Sequence, residues 1–363
     1  MSRILRQLPQ IIRSGQRAAY CSVVKTVGST PQKAGAKLLI LPTFQSVGTL
    51  GGGCVEAEAR KQAAQLMQTG QRKLLQFQLD NDYGWDDGLI CGGRMNIFID
   101  LTDRPEDAEL FEKMNALLDA DIPAVTATVV ESPDRGKLGQ KLLIGLDGTR
   151  VGSLDEASLL PFAVKALETH QPQLLQSDDK TEAVYVEAAL PKIRLVIAGA
   201  GHVGSALARL ANFCGFHVCV IDDRPEFANA QNIPDADEIV VQDLAEALRE
   251  RNIDPMTFVV IVTRGHHHDE ECLHAVINSN AGYIGMIGSR RKIKLIFDDL
   301  IEMGVNPDRM TRVHAPIGID IASKTVPEIA VSIAAQLIQV RNTQKLGGFA
   351  EALASKAAPG CEV

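Results

Sequence analysis

Residues 192–223, KIRLVIAGAGHVGSALARLANFCGFHVCVIDD, restrict the fold more than any other stretch of the chain. An apolar run (Ile193, Leu195, Val196, Ile197) enters Gly199-Ala200-Gly201-His202-Val203-Gly204, continues as a helix-like segment, and ends in a second apolar run closed by Asp222 and Asp223. A strand, a glycine turn, a helix and a strand ending in an acid make up a dinucleotide-type βαβ fingerprint. Gly199 permits the turn out of the strand, Gly201 lets the backbone approach a pyrophosphate, and Gly204 lets the helix pack on the strand. Free N–H groups at the helix start attract anions. His202 is either a pyrophosphate contact or a variable position of the motif. Asp222, eighteen residues past Gly204, is placed to accept hydrogen bonds from a ribose 2′-OH. The same cradle suits NAD and other phosphorylated ligands, so the fingerprint defines a fold and leaves the ligand open.

A chain of 363 residues exceeds the roughly 250–300 residues that one core supports, which predicts two domains. The boundary is expected near Pro191, giving domains at 1–190 and 191–345 and a tail at 346–363. A net charge of −8 gives no broad basic face for nucleic acid. The opening residues lack the apolar core of a secretory signal, and no run approaches the roughly 20 apolar residues that span a bilayer, so a cytoplasmic location away from membranes is expected. Seven dispersed cysteines without a CxxC pair argue against a zinc ribbon or a disulfide framework. No internal repeat stands out.

In the first half, periodicity predicts a helix over 3–14 and strands over 18–27 and 36–41. Three glycines, Gly51, Gly52 and Gly53, then run into a helix predicted over 55–68. Cys54 therefore stands at a helix start, where a thiol pKa falls and an anion is welcome; a buried structural cysteine is the competing reading. A strand over 73–79 leads through a polar loop to Cys91-Gly92-Gly93 and a strand over 96–101, which suggests two glycine-lined loops facing one pocket. Aspartates 80, 82, 86 and 87 do not match calcium-loop spacing and read as a solvated turn. Helices over 105–120 and 158–169 and strands over 124–130, 141–145 and 184–187 follow, with 171–180 as an exposed connection.

In the second half, further parallel strands are expected over 238–241 and 258–262. The latter opens into Thr263-Arg264-Gly265-His266-His267-His268, which suits either a metal or a polar loop touching a nucleotide. A strand over 281–287 opens into Gly288-Ser289-Arg290-Arg291-Lys292, where glycine, hydroxyl and cations suit phosphate or carboxylate. His314 and Asp320 lie in a Gly/Pro loop ahead of a capping box, Thr325 to Glu328.

Taken in order, GSTPQKAGAKLLI, GTLGGGCVEAEA, CGGRMNIFID, LVIAGAGHVGSALA, VIDDRPEFA, IVTRGHHHDEECL, YIGMIGSRRK and HAPIGIDIASKTVPEIAVSIAAQLI resemble the XdhC/CoxI family of accessory proteins for xanthine dehydrogenase and related molybdenum hydroxylases. The resemblance runs from about residue 23 to residue 341 and is weakest over 103–180. It implies an α/β chain with an N-terminal α+β domain followed by a Rossmann-like, doubly wound domain. It also implies a chaperone that binds molybdenum-molybdopterin or its dinucleotide form, protects it during sulfuration, and assists insertion into an apo molybdenum hydroxylase. The implied partners are that hydroxylase, a cysteine desulfurase-type sulfur donor and a second copy of the chain.

Gly51, Gly52, Gly53, Gly199, Gly201, His202, Gly204, Asp222, Asp223, His266, Gly288, Ser289 and Arg290 are then the candidate cofactor-binding residues. Cys54 and Cys91 are the candidate sulfur- or molybdenum-handling residues, and no resident metal is assigned. NAD(P) stays open as a ligand. Two other classes compete: an NAD(P)-dependent oxidoreductase using His266, His268 or His314 as acid or base, and a nucleotide-sensing regulatory module. No hydride-transfer constellation accompanies the fingerprint.

Overall fold

The computed structural model describes residues 2–79 and 92–343; Cys91, aspartates 80, 82, 86 and 87 and the tail lie outside the described residues. The chain divides into two compact units between Pro191 and Lys192.

The first unit begins with α1 (Ser2–Arg13), β1 (Ala19–Val27), β2 (Lys37–Ile40), β3 (Ser46–Gly48), α2 (Gly53–Thr69), β4 (Lys73–Gln78) and β5 (Arg94–Leu101). It continues with α3 (Glu106–Asp119), β6 (Ala124–Glu131), β7 (Lys141–Gly145), β8 (Arg150–Gly152), α4 (Glu156–Thr169), β9 (Gln173–Gln176) and β10 (Ala183–Ala189). Its two antiparallel sheets have the orders β3-β2-β1-β5-β4 and β8-β7-β6-β10-β9. Each is the same α-β-β-β-α-β-β module with the same pairing, so the expectation of no internal repeat is overturned. The sequence does carry its trace: Lys37-Leu-Leu-Ile and Val47-Gly-Thr-Leu in one copy recur at the same spacing as Lys141-Leu-Leu-Ile and Val151-Gly-Ser-Leu in the other.

The two copies meet reciprocally. Register pairs Ser22 with Lys37 and Tyr20 with Asp100 in the first sheet, and Thr128 with Lys141 and Thr126 with Glu187 in the second. Lys37 and Lys141 are thus equivalent, as are Asp100 and Glu187. Lys37 Nζ bonds Glu187 at 2.7 Å and Lys141 Nζ bonds Asp100 at 2.5 Å, each lysine reaching the acid of the other copy. Such mutual contacts are the mark of an isologous, two-fold-like interface. α1 and α3 fill the shared interior, where Leu5, Leu8, Phe111 and Met114 pack with Tyr20, Leu39 and Leu143.

On the outer face of the first sheet, Val55, Ala59, Ala63 and Leu66 of α2 cover Cys21, Val23, Ile97 and Ile99. α4 covers the second sheet with Leu159, Ala163, Ala166 and Leu167. The alternation along β1, with Ala19, Cys21 and Val23 toward α2 and Tyr20 toward the shared interior, is the period-2 pattern of a strand buried on both faces. The expected connection over 171–180 instead contains β9, an outermost strand on β10. Its half-buried Gln-Leu-Leu-Gln is too short to show alternation.

The second unit comprises β11 (Arg194–Ala198), α5 (His202–Phe213), β12 (His217–Asp222), β13 (Glu238–Val241), α6 (Leu244–Glu250), β14 (Thr257–Ile261), α7 (His266–Val276), β15 (Tyr283–Met286), α8 (Arg290–Glu302), α9 (Pro307–Met310), β16 (Val313–His314) and α10 (Val326–Thr343). All six strands are parallel, in the order β13-β12-β11-β14-β15-β16. This is a doubly wound Rossmann sheet. The expected capping box forms: Glu328 accepts from the Thr325 amide at 3.0 Å, and Thr325 Oγ1 accepts from the Glu328 amide at 3.4 Å. Among the described residues no helix is long and apolar enough to cross a membrane.

Candidate functional site

The strand order reverses between β11 and β14, and in open α/β sheets ligands occupy the crevice outside the carboxyl ends of the strands at that point. Gly199, Gly201 and His202 leave β11 there, Asp222 and Asp223 close β12, and His266 opens α7 after β14. Gly288 and Ser289 follow β15 on the same edge. The sheet therefore gathers the Rossmann candidates along one edge.

The three fingerprint glycines act differently. Gly199 has φ +118°, and a Cβ there would run into the carbonyl of Val262. A Cβ on Gly204 would collide with the carbonyl of Gly199, so this glycine lets α5 sit close against the turn. At Gly201 a Cβ would meet nothing within 4 Å. Gly201 is also the N-cap of α5 and supplies no side-chain cap, so the helix start faces open space with its amides available. A cleft of about 680 Å³ adjoins it, walled by His202, Ser205 and Arg209 of α5 and by Phe227, Asn232 and Asp235 of the loop after β12.

Asp222 departs from its expected use. It is buried, and its carboxylate accepts from the Ala200 amide at 2.7 Å and from Arg224 through Nε at 2.8 Å and Nη2 at 2.9 Å. Burial alone would raise its pKa; the Arg224 guanidinium and the two amides outweigh this and hold it below the usual carboxylate range. It therefore locks the glycine turn to β12 instead of presenting a free acceptor to a ribose. Asp223 is also engaged, by Arg264, at 2.8 Å. Neither Arg224 nor Arg264 is among the candidates that the sequence motifs single out, although both stand within those motifs; an arginine two residues after a βαβ acid is the signal that points to the first.

The GSRRK stretch does not converge on one point. Ser289 caps α8 by accepting from the Lys292 amide at 3.3 Å, and Arg290 lines a separate groove with Phe297 and Pro316. Lys292 turns inward to the fully buried Asp269, which also accepts from Thr263 Oγ1 at 2.5 Å. His266 and His267 are exposed at the start of α7, ring to ring at 4.0 Å, and His268 faces Glu271 at 3.6 Å. Among the described residues no group of three metal-capable side chains stands together. His314 is stacked on Tyr283 at 4.6 Å on the outermost strand, and burial lowers its pKa below the usual imidazole range.

In the first unit, Gly51, Gly52 and Gly53 all have positive φ and lead Cys54 into the first turn of α2, as expected. The loop amides are not an open anion site, however. Glu56 folds back and accepts from the amides of Leu50 at 3.0 Å and Gly52 at 3.2 Å and from Thr49 Oγ1 at 2.8 Å. Burial favours the neutral acid, but Arg60, the two amides and the Thr49 hydroxyl dominate and hold Glu56 at about 2. The chain's own carboxylate thus fills the role assigned to an external anion. The corresponding turn of the second copy, Ser153-Leu154-Asp155, lacks the glycines and the cysteine. Cys54 is half-buried, whereas Cys21, Cys219 and Cys272 are buried thiols whose pKa burial pushes up, the first two to about 12.

Comparison with known proteins agrees with both units. Residues 195–337 match the family model of the XdhC Rossmann domain, and residues 11–78 match that of the XdhC and CoxI family. The chain is 26% identical to a Bacillus subtilis protein described as a probable xanthine dehydrogenase subunit, over 94% of this chain and 98% of that one. It is 23% identical to the molybdenum cofactor insertion chaperone PaoD of Escherichia coli, over 94% of this chain and 89% of that one. Among solved structures, a crystal structure described as a xanthine dehydrogenase from Bacillus halodurans superposes with a TM-score of 0.79 at 25% identity, covering 96% of this chain and 99% of that one.

Proposed function

Since the chain belongs to the XdhC/CoxI family, we propose that it is an accessory chaperone that holds the molybdenum cofactor as cargo and assists its insertion into a xanthine dehydrogenase-type molybdenum hydroxylase. The observation that carries this reading is the cradle at Gly201. An α5 N-terminus with available amides, an open glycine and an adjoining cleft of about 680 Å³ suit a ligand that ends in phosphate and needs shelter. The similarity to PaoD, a molybdenum cofactor insertion chaperone, supports the same cargo.

Protection of the cofactor during sulfuration is part of the proposal, with a cysteine desulfurase-type protein as sulfur donor. Cys54, the half-buried thiol in the glycine turn, is the residue in the described structure proposed to handle sulfur or molybdenum. The sequence assigns Cys91 the same role. Activity on clients is expected in the cytoplasm, with a homodimer as the working assembly.

The test is anaerobic purification followed by assay of bound pterin as its fluorescent oxidised derivative, for the wild type beside Gly201→Asp. The proposal expects near-stoichiometric pterin in the wild type and its loss in the variant, whose added carboxylate lies in the open space of the cradle. A wild type that carries no pterin when produced in a cofactor-synthesising host contradicts it.

A further inference from the structure

At the carboxyl end of β12, Asp222 has no acceptor left for a ribose, and Asp223 is held in an ion pair. A carboxylate offers about four acceptor sites, and Asp222 uses four: the Ala200 amide at 2.7 Å, the Arg224 amide at 3.1 Å, Arg224 Nε at 2.8 Å and Arg224 Nη2 at 2.9 Å. A ribose diol would have to displace a donor that secures the turn itself. Asp223 accepts from both terminal nitrogens of Arg264, at 3.1 and 2.8 Å. Arg264 comes from the loop after β14, and β12 and β14 flank β11, so this ion pair bridges across the carboxyl end of β11 where the glycine turn leaves the sheet.

We propose that this corner of the crevice is a subsite for a phosphate monoester, read by Arg264, and that it selects against a ligand presenting a bare ribose diol there. The Arg264–Asp223 pair is exchangeable: its side chains are 43% and 32% exposed, so solvent screens their attraction. A phosphate dianion offers the guanidinium fork the same two-point geometry with more charge. Arg224 is the fixed cation beside it, held by Asp222 and stacked 4.0 Å from the centre of the Phe227 ring on the cleft wall.

The pterin source of this phosphate rests on the function proposed above: molybdopterin ends in a phosphate. The 2′-phosphate of NADP presents the same chemistry. Both sources are tested by calorimetric titration of the full chain with NADP⁺, NAD⁺, the oxidised pterin phosphate and its phosphatase-treated counterpart. Wild type, Arg264→Ala and Asp223→Asn are compared.

The subsite predicts that at least one monoester binds about tenfold or more tighter than its counterpart lacking the phosphate. That ratio falls toward one in Arg264→Ala and rises in Asp223→Asn, which no longer competes for the guanidinium. A ratio confined to the pterin pair assigns the subsite to the pterin. A ratio confined to the nucleotide pair keeps the subsite and removes the pterin as its ligand. Equal affinities within both pairs, no binding by any of the four probes, or a ratio that survives Arg264→Ala overturns the inference.

Discussion

Replacing Lys141 by Met tests the reciprocal interface of the first unit at its most demanding point. The Lys141 side chain is 4% exposed, and its ammonium bonds Asp100 at 2.5 Å, Asp107 at 2.6 Å and the Gly139 carbonyl at 3.0 Å. Asp100 keeps Arg72 at 2.6 Å and the Leu101 amide at 2.8 Å, so it stays compensated. Asp107 does not keep its hydrogen-bonded cation. Burial already raises the Asp107 pKa against the pull of Lys141, and without that pull the carboxylate becomes a buried charge. Removing one partner of a buried ion pair costs about 3–5 kcal/mol. For a unit of this size that lowers Tm by roughly 6–20 °C.

The sign of the pH dependence follows from Asp107. A carboxyl whose pKa is raised on folding stabilises below its unfolded pKa, and that contribution is lost as pH rises through the folded value. The deficit of the variant should therefore shrink in mild acid. Lys37→Met removes the equivalent lysine, but its acid, Glu187, keeps the Tyr185 hydroxyl at 3.1 Å, so a loss of about half that size is expected. Calorimetry and circular dichroism of the full chain measure both. A Lys141→Met protein that melts with the wild type near neutral pH, or a deficit that grows in acid, would refute the buried reciprocal pairs.

Glu56→Gln should lower stability by at most about 3 kcal/mol near neutral pH. The depressed pKa means that the wild-type contribution is complete above 4.5 and fades as pH falls toward about 2, so acid titration of stability should flatten over that window in the variant. Gly204→Ala should destabilise by about 1–3 kcal/mol because α5 must back away from the Gly199 carbonyl. Gly201→Asp should instead melt within about 0.5 kcal/mol of the wild type while losing ligand. Equal stability losses at the two positions in urea titrations would contradict their separate roles.

The Rossmann unit was legible because its requirements are local. A turn at φ +118° under the Val262 carbonyl accepts only glycine, and the helix contact at Gly204 leaves no room for a Cβ. The duplication was harder to see: its copies share little beyond the Lys-Leu-Leu-Ile and Val-Gly-Thr/Ser-Leu blocks, and β3 and β8 are three residues each. The pairs that define its interface join residues 150 and 41 positions apart, which no spacing rule connects. At the candidate site, sequence located the acids but not what they hold. Whether Asp222 faces a ribose or Arg224, and whether loop amides await an anion or already bind Glu56, depends on side-chain direction, and both were settled by neighbours that compete for the same lone pairs.

Cofactor transfer tests the chaperone role directly. The pterin-loaded chain is mixed anaerobically with an apo hydroxylase of the xanthine dehydrogenase type, and appearance of hydroxylase activity is compared with that produced by the same amount of free cofactor. If the chain is an insertion chaperone, activation from the loaded chain is faster and more complete, and Gly201→Asp gives none beyond the free-cofactor rate. Activation by free cofactor that the chain leaves unchanged or slows would contradict it.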